Sequence, residues 1–375
     1  MSDQSVATIL RNYISGARLD LPVNKLGAPA IQEVFARFLP GENLVIDPIT
    51  TQAGDATAYT VAGTGQNRLF RGMHVSVTVR AGTQLQILLT ADATSTPWAL
   101  ATSFPKLADT LASALQFKQA SWRLASSAEG SQPPGLSFKG TLDISSSLGL
   151  FVFLLGESDE TLTGNVESIT RGIPVMRLDA GAARVGKDLH VIKLGSITLA
   201  LSTETLPPVR QGGPFQARVS LHVGTSLTFT AQGKPVAIPL SASIGTGSSA
   251  IRLTADPSSL VSAGLEELGA LLNSVSIKGL SYGDFKLEDQ VKLTELELVV
   301  DPLGTSKINR VGLRLQSTQQ WDLLKRANGL PLCSVQNIHI QTTLRAPFSA
   351  DGLMLALYGE VVLNNSRIVL QAILT

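Results

Sequence analysis

The chain has 375 residues, of which 44% are hydrophobic and only 16% charged, against about 25% charged residues in a typical soluble protein. No apolar run approaches the roughly 18 residues of a membrane-spanning helix, so the surplus apolar residues are expected in a large core, around an apolar ligand, or against partner subunits. A net charge of +1 and 5% aromatic residues exclude the basic surfaces and stacking rings typical of nucleic-acid binding.

The N-terminal segment predicts a short helix and no secretory signal. MSDQSVATILRNYISG lacks a positively charged stretch followed by an apolar segment. Its apolar residues instead recur at helical spacing, at Val6, Ile9, Leu10 and Tyr13. The single cysteine, Cys333, precludes an internal disulfide. Together these features favour a cytoplasmic protein, and release by a non-classical route stays open.

Three further segments have the apolar spacing of amphipathic helices. They are APAIQEVFARF (28–38), SFPKLADTLASALQF (103–117) and DPSSLVSAGLEELGALLNS (256–274). The last begins with Asp256 and Pro257, a capping residue followed by a first-turn proline. Such helices have the length to cover one end or one face of a sheet.

Most of the remaining chain alternates between apolar and polar residues, as half-buried β-strands do. MHVSVTVR (73–80) is a clear example, with Met73 and three valines on one face. LQILLTA (85–91), LGLFVFLLG (148–156) and LMLALYG (353–359) are almost wholly apolar, which predicts strands covered on both faces. VVLNNSRIVLQAIL (361–374) predicts a hairpin with Asn364 and Asn365 at its turn.

Roughly twenty such segments predict a mainly β fold of antiparallel sheets, sandwich-like or elongated, with a few short amphipathic helices over ends or faces. We expect three units, at 1–125, 126–255 and 256–375. LVIDP (44–48) recurs as LVVDP (298–302), and each precedes a strand in which a histidine lies between apolar residues. A diverged internal repeat is therefore a hypothesis for this chain.

GAARVGKD (181–188) comes close to a phosphate-binding loop, but Asp188 follows Lys187 where a serine or threonine should bind magnesium. A phosphate-binding loop also requires a helix after the lysine, and LHVIKLG (189–195) alternates like a strand. We interpret the segment as the turn of a hairpin that joins VMRLDA (175–180) to LHVIKLG.

GLSYG (279–283) matches the nucleophile-elbow pattern of hydrolases around Ser281, and Asp301 and His339 follow in the usual triad order. The nucleophile elbow joins a strand to a helix, whereas DFKLEDQVKLTELELVV (284–300) alternates like a strand. A glycine turn between strands is the preferred interpretation. If the protein hydrolyses an ester, Ser281 is the expected nucleophile.

The histidines and the cysteine have weaker claims to chemistry. His74, His222 and His339 lie on the polar faces of their strands, and His190 has no clear face. Six residues on one strand place Cys333 and His339 on the same face but roughly 20 Å apart, so contact would need a bulge. We interpret Cys333 as a structural thiol and the histidines as solvated or hydrogen-bonded.

The acidic segments do not form a metal-binding pattern. GESDE (156–160) lacks the alternating oxygen ligands of a calcium loop, and Glu295 and Glu297 alternate with leucines like the solvated side of a strand. The sequence therefore predicts no metal site and no cofactor, and it leaves catalytic residues unassigned.

The leading hypothesis is a non-enzymatic β-rich binding or assembly protein that buries its surplus apolar surface against an apolar small molecule, a lipid or other protein subunits. One alternative is a membrane-active, toxin-like β protein that contacts the membrane surface without an integral segment. Another is an enzyme that acts on an apolar small molecule in a β-lined cavity.

Overall fold

The computed structural model describes most of the chain. The described residues are 5–147, 152, 154, 159–186, 193–231, 234–244, 250–256, 260, 291–300, 308–317, 320–325, 330–345, 352–363 and 366–374.

The fold is mainly β and antiparallel, as the alternation of apolar and polar residues predicts. The strands are β1 (Ile14–Ser15), β2 (Arg18–Leu21), β3 (Leu44–Gly54), β4 (Ala58–Gly65), β5 (His74–Arg80), β6 (Gln86–Asp92), β7 (Trp98–Ala99), β8 (Gln116–Ala125), β9 (Gly135–Leu142), β10 (Glu160–Thr170), β11 (Ile173–Ala180), β12 (Lys193–Leu194), β13 (Thr198–Leu206), β14 (Gln216–Ala231), β15 (Lys234–Ile244), β16 (Ile251–Ala255), β17 (Val291–Val300), β18 (Ile308–Ser317), β19 (Trp321–Lys325), β20 (Pro331–Arg345), β21 (Leu353–Leu363) and β22 (Ser366–Leu374).

The helices of the described residues are short. The α-helices are α1 (Val6–Arg11), α2 (Pro29–Phe38), α3 (Leu100–Ser103) and α4 (Ile144–Ser147), and 3₁₀ turns lie at Val23–Leu26, Arg68–Phe70, Pro105–Leu107 and Leu111–Ser113. Ser5 caps α1 by accepting a hydrogen bond from the backbone N–H of Thr8. The two N-terminal helices are thus confirmed. Within these residues no helix combines the length and apolar character needed to cross a bilayer.

The predicted helix at 103–117 is wrong as a continuous element. The segment forms separate short turns and then enters β8. Pro105 starts a new 3₁₀ turn because a proline ring cannot continue a helix from the preceding residues. The three leucines that suggested the helix are nevertheless buried, at 0% exposure for Leu107, 7% for Leu111 and 0% for Leu115. The predicted helix at 256–274 lies outside the described residues except for Asp256 and Leu260.

The chain divides into two compact units, one of residues 1–152, 156–182 and 199–221, and one of residues 153–155, 183–198 and 222–375. In the first unit, antiparallel pairing runs β1–β2–β3–β4–β5–β6–β8–β9–β10–β11–β13, and β7 also pairs with β8. In the second unit it runs β15–β16–β17–β18–β20–β21–β22. In addition, β19 pairs with β20 and β12 pairs with β14.

The core of the first unit contains the alternating apolar residues of its strands. Val75, Val77 and Val79 of β5 are each 0% exposed, as the alternation of MHVSVTVR predicts. Full burial of one such side chain stabilises a fold by about 1.5–3 kcal/mol. Helix α2 packs against β6, β8, β9 and β10. Of its predicted apolar stripe, Ile31, Phe35 and Phe38 are buried and Val34 is half-buried.

Aromatic rings form the centre of this first core. Five rings contact one another with centroids 4.7 to 6.3 Å apart, mostly edge to face, from Trp98, Phe104, Phe117, Trp122 and Phe138. Quadrupole interactions favour such edge-to-face contacts. Few aromatic residues occur in the chain, and the unit concentrates many of them in one cluster.

The wholly apolar segments do not all form strands covered on both faces. In β6, only Ile87, Leu89 and Ala91 are fully buried, so LQILLTA is covered on one face. Most of LGLFVFLLG lies outside the described residues, but Val152 and Leu154 are helical, which contradicts a strand there. Apolar residues at every position do not reveal which elements pack on either side of them.

Candidate interaction surface

One apolar face of the second unit is buried at β17 and β18 and becomes increasingly exposed toward β22. The strand register aligns Leu293 of β17, Leu315 of β18, Ile340 of β20, Leu357 of β21 and Ala372 of β22 in one row. Leu293 is 3% exposed and Leu315 6%, Ile340 is half-buried, and Leu357 is 43% exposed. The apolar face therefore continues into β21 and β22, where the described residues leave it open to solvent.

The exposed apolar residues of the described chain concentrate in these two strands. Nine large aliphatic side chains are exposed, and six of them lie in β21 or β22. We call these six residues the hairpin patch: Leu357, Leu363, Ile368, Val369, Leu370 and Ile373. An apolar cluster of this kind marks an interaction site more often than scattered exposed leucines do.

The hairpin patch lies on a hairpin that the sequence predicts. β21 and β22 pair in register from Leu355 with Leu374 to Leu363 with Ser366, which leaves two residues for the connection. The hairpin at 361–374 is thus confirmed. The expectation that LMLALYG is covered on both faces is wrong, because Leu357 is 43% exposed and Met354, Leu355 and Tyr358 are only half-buried.

β22 is an edge strand of the described sheet. Among the described strands it pairs with β21 alone, so one side of its backbone presents N–H and C=O groups that no described strand satisfies. Edge strands are usually protected from further pairing by charges, prolines, glycine bulges or short length. β22 has nine residues, a single charged side chain at Arg367, and neither proline nor glycine.

A polar cluster lies beside Val369, on the face of the hairpin opposite to Leu357 and Leu370. The Gln336 and Asn337 side-chain amides donate hydrogen bonds to Glu360 Oε2 at 3.0 and 3.2 Å. These donors, with a smaller attraction from Arg367, hold the pKa of Glu360 below its usual range. Glu360 and Arg367 together leave the hairpin nearly neutral.

A β-bulge in β20 forms this cluster. The register against β21 shifts between Gln336 and His339, and Asn337 adopts a left-handed backbone with φ of 54°. Asparagine tolerates that conformation better than most residues. The bulge brings two adjacent amide side chains within reach of Glu360, which the sequence did not indicate.

The bulge also corrects the predicted relation between Cys333 and His339. Cys333 pairs with Leu363 and His339 with Tyr358, so their partners are five residues apart on β21 and the two side chains project from opposite faces. The separation along the strand is about 16 Å. The structure therefore does not bring this thiol and imidazole together. His339 Nδ1 is buried and has no hydrogen-bond partner within the described part of the chain.

The glutamates of β17 lie on the polar face, as predicted, and form ion pairs across strands. Glu297 contacts Arg252 Nε at 2.7 Å and Arg310 at 2.8 Å. Glu295 contacts Arg314 at 3.0 Å. The arginines lie on the neighbouring strands β16 and β18, so these contacts join three strands. Exposed pairs of this kind contribute little stability individually.

The segment GAARVGKD does not form the predicted hairpin with LHVIKLG. β11, which contains VMRLDA, pairs instead with β13. Gly181 and Ala182 form a bend, and Arg184 bridges Ile197 through two backbone hydrogen bonds of 2.8 and 2.9 Å. A period-two pattern identifies a strand but not its partner. Lys187 and Asp188 lie outside the described residues.

Several other candidate residues also lie outside the described part of the chain, namely Ser281 with its GLSYG segment, Asp301, His190 and residues 156–158 of GESDE. Asp159 is described and contacts Lys118 Nζ at 2.8 Å. This contact raises the pKa of Lys118, chiefly through its hydrogen bond to Asp159.

The described histidines do not converge. His74 is exposed on β5, as predicted, His222 lies on β14 and His339 on β20. No three His, Cys, Asp or Glu side chains of the described residues stand close enough together to hold a metal ion. A surface depression beside Arg80 and Glu129 has a volume of about 10 Å³, room for about one water.

The exposed hairpin is a candidate interaction surface that sequence reasoning missed. One signal was present, because VVLNNSRIVLQAIL has apolar residues at both odd and even positions and a single charge.

Comparison of the chain with protein-family models, curated proteins and solved structures returned no match.

Proposed function

We propose that this chain is a non-enzymatic assembly protein that docks its β21–β22 hairpin against another protein subunit. The hairpin patch carries the proposal, because it gathers six exposed aliphatic side chains on one hairpin.

The side chains of the hairpin patch are incompletely buried. An aliphatic side chain contributes about 1.5–3 kcal/mol when it is fully buried, and the residues of the patch are about half exposed. Leu370 is 50% exposed, Ile373 52% and Val369 74%. A partner that covers them would recover hydrophobic stabilisation that the isolated hairpin lacks.

No described strand pairs with the outer side of the β22 backbone. An extended segment of a partner can add to an exposed sheet edge through main-chain hydrogen bonds, while its side chains contact alternate residues of the edge strand. β22 offers such an edge with apolar residues on both faces, at Ile368 and Leu370 on one and Val369 and Ile373 on the other. Side-chain contacts and backbone pairing would then act on the same strand.

Site-specific photo-crosslinking in producing cells tests the proposal. We would place p-benzoylphenylalanine at Leu370 and, as a matched control, at Val209, an 84% exposed aliphatic residue outside the hairpin. We expect a discrete crosslinked product from position 370 that mass spectrometry assigns to one protein, and none from position 209.

Equal products from both positions, or none from position 370, would contradict the proposal. Native mass spectrometry of the purified chain provides a second readout. A bound molecule of lipid mass that the Leu370→Lys substitution removes would assign the patch to a small apolar ligand and not to a subunit.

A further inference from the structure

We propose that the subunit that docks on the hairpin patch is a second copy of this chain, whose β22 pairs antiparallel with β22 of the first copy around a two-fold axis at Leu370. This inference rests on the proposed function and adds the identity and register of the partner.

The geometry of a two-fold pair restricts its register. Two copies of one strand that pair antiparallel in a continuous sheet must place residues of the same face opposite each other. The register with full nine-residue overlap of β22 pairs Leu370 with itself, Ile368 with Ala372 and Val369 with Gln371. β20 pairs antiparallel with β21, and β21 with β22. An antiparallel β22 from the second copy would continue this alternation of strand direction.

The side chains of this register are compatible with themselves. Arg367, the one charged residue of β22, would face Ile373, so no like charges meet across the axis. Arg367 is also attracted to Glu360 on its own hairpin. Like charges opposite each other would destabilise a strand pair, and their absence makes an identical edge an acceptable partner.

The available surface matches a modest interface. An edge-to-edge pair covers mainly the outer flanks of Ile368, Val369, Leu370 and Ile373 on β22 and leaves Leu357 and Leu363 on β21 uncovered, so the buried area lies below the roughly 1,200 Å² at the lower limit of standard stable interfaces. Backbone hydrogen bonds between the two edges would add to this contribution. We therefore expect a dimer whose population depends on concentration.

Sedimentation velocity of the purified full chain tests the oligomeric state. We expect a species of twice the chain mass of 39.5 kDa that increases with concentration. Leu370→Lys places a charge at the axis of both copies, so it should raise the dimer dissociation constant tenfold or more. Val369→Lys is a second edge variant, and Val209→Lys makes the same chemical change outside the hairpin and should leave dimerisation unchanged.

Circular dichroism and thermal unfolding of each variant establish whether it folds. A monomeric wild-type chain at all concentrations would overturn the inference. A dimer that both folded edge variants leave intact would overturn it equally.

Cysteine crosslinking tests the register. In a Cys333→Ser background, Leu370→Cys should form an intermolecular disulfide on oxidation, since opposite Cα atoms in an antiparallel pair lie about 4.5–5.5 Å apart, within the range that a disulfide spans. Val369→Cys is the control, because its copies would be offset by two residues, beyond the roughly 7 Å limit for a disulfide.

Crosslinking that is as rapid at 369 as at 370 would overturn the register. Photo-crosslinking from position 370 to a different protein would overturn the second copy as partner and leave the proposed docking function standing. Absence of any discrete photo-crosslinked product would remove both proposals.

Discussion

Trp122 is the largest fully buried side chain of the described residues, and its ring contacts Trp98, Phe104 and Phe138. Its indole N–H is buried without a described hydrogen-bond partner. The residue therefore acts through packing. Its substitution tests how far the stability of the first unit depends on one aromatic cluster.

We predict that Trp122→Ala lowers the free energy of unfolding by about 3–5 kcal/mol, because it removes a fully buried ring and leaves a cavity. Urea denaturation followed by circular dichroism measures the change. Val209→Ala, at an exposed site of the same unit, should stay within about 0.5 kcal/mol of the wild type. Equal effects of the two substitutions would contradict the central position of the cluster.

Glu360 provides a pH-dependent contribution at the residue scale. The Gln336 and Asn337 amides lower its pKa in the folded state, so the ionised form stabilises the fold above the pKa of the unfolded chain. That contribution is lost as pH falls through the lowered folded-state pKa.

We predict that Glu360→Gln lowers the melting temperature slightly at pH 7 and has a progressively smaller effect at a second, acidic pH, as the pH falls through the lowered pKa of the wild-type carboxyl. The glutamine keeps an oxygen acceptor, so the difference isolates the charge. Thermal unfolding at both pH values measures it, with Glu33→Gln on the exposed face of α2 as the control. A difference that is the same at both pH values would indicate a steric effect instead.

At the scale of elements, the bulge in β20 changes the position of several side chains through a single residue. One left-handed residue, Asn337, moves His339 to the face opposite Cys333 and brings two amides to Glu360. A sequence pattern with strict period two cannot show such a shift, because the bulge depends on pairing with β21.

We predict that Asn337→Val lowers the free energy of unfolding by about 1–2 kcal/mol, since β-branched residues are strained in the left-handed region. Asn337→Gly should cost less, because glycine keeps the conformation and loses only the hydrogen bond to Glu360. Chemical denaturation of both variants compares them. If glycine proves as costly as valine, the hydrogen bond and not the backbone sets the stability of the bulge.

The other elements show where local patterns suffice. Strand β5 buries the residues that its periodicity indicates, helix α2 buries most of them, and β21 pairs with β22 as predicted. The segment at 103–117 buries its leucines without a continuous helix, because Pro105 divides it. Apolar spacing therefore predicted burial more reliably than the type of element.

At the scale of the whole molecule, low charge and exposed apolar surface act together. The net charge is +1 at pH 7 and the isoelectric point is about 7.9. Charge repulsion between copies is therefore weak near pH 8, where the apolar hairpin patch can dominate association.

We predict that self-association is strongest near the isoelectric point of about 7.9 and weaker at pH 5.5, where the net positive charge of the chain is larger. Static light scattering over a concentration series measures the effect. Leu370→Lys should scatter less than the wild type at both pH values. Stronger association at pH 5.5 would contradict the role of net charge.

The sequence by itself determined that the chain is mainly β, where many strands lie, and that residues 361–374 form a hairpin, because these properties depend on local periodicity and turn residues. Only the tertiary structure decided which apolar strands are covered. LMLALYG and LQILLTA have similar patterns. LMLALYG is partly exposed beside an edge strand, whereas LQILLTA buries Ile87, Leu89 and Ala91 on one face. Burial depends on neighbours that are distant in sequence, and the same is true of the pairing of β11 with β13 and of the bulge at Asn337.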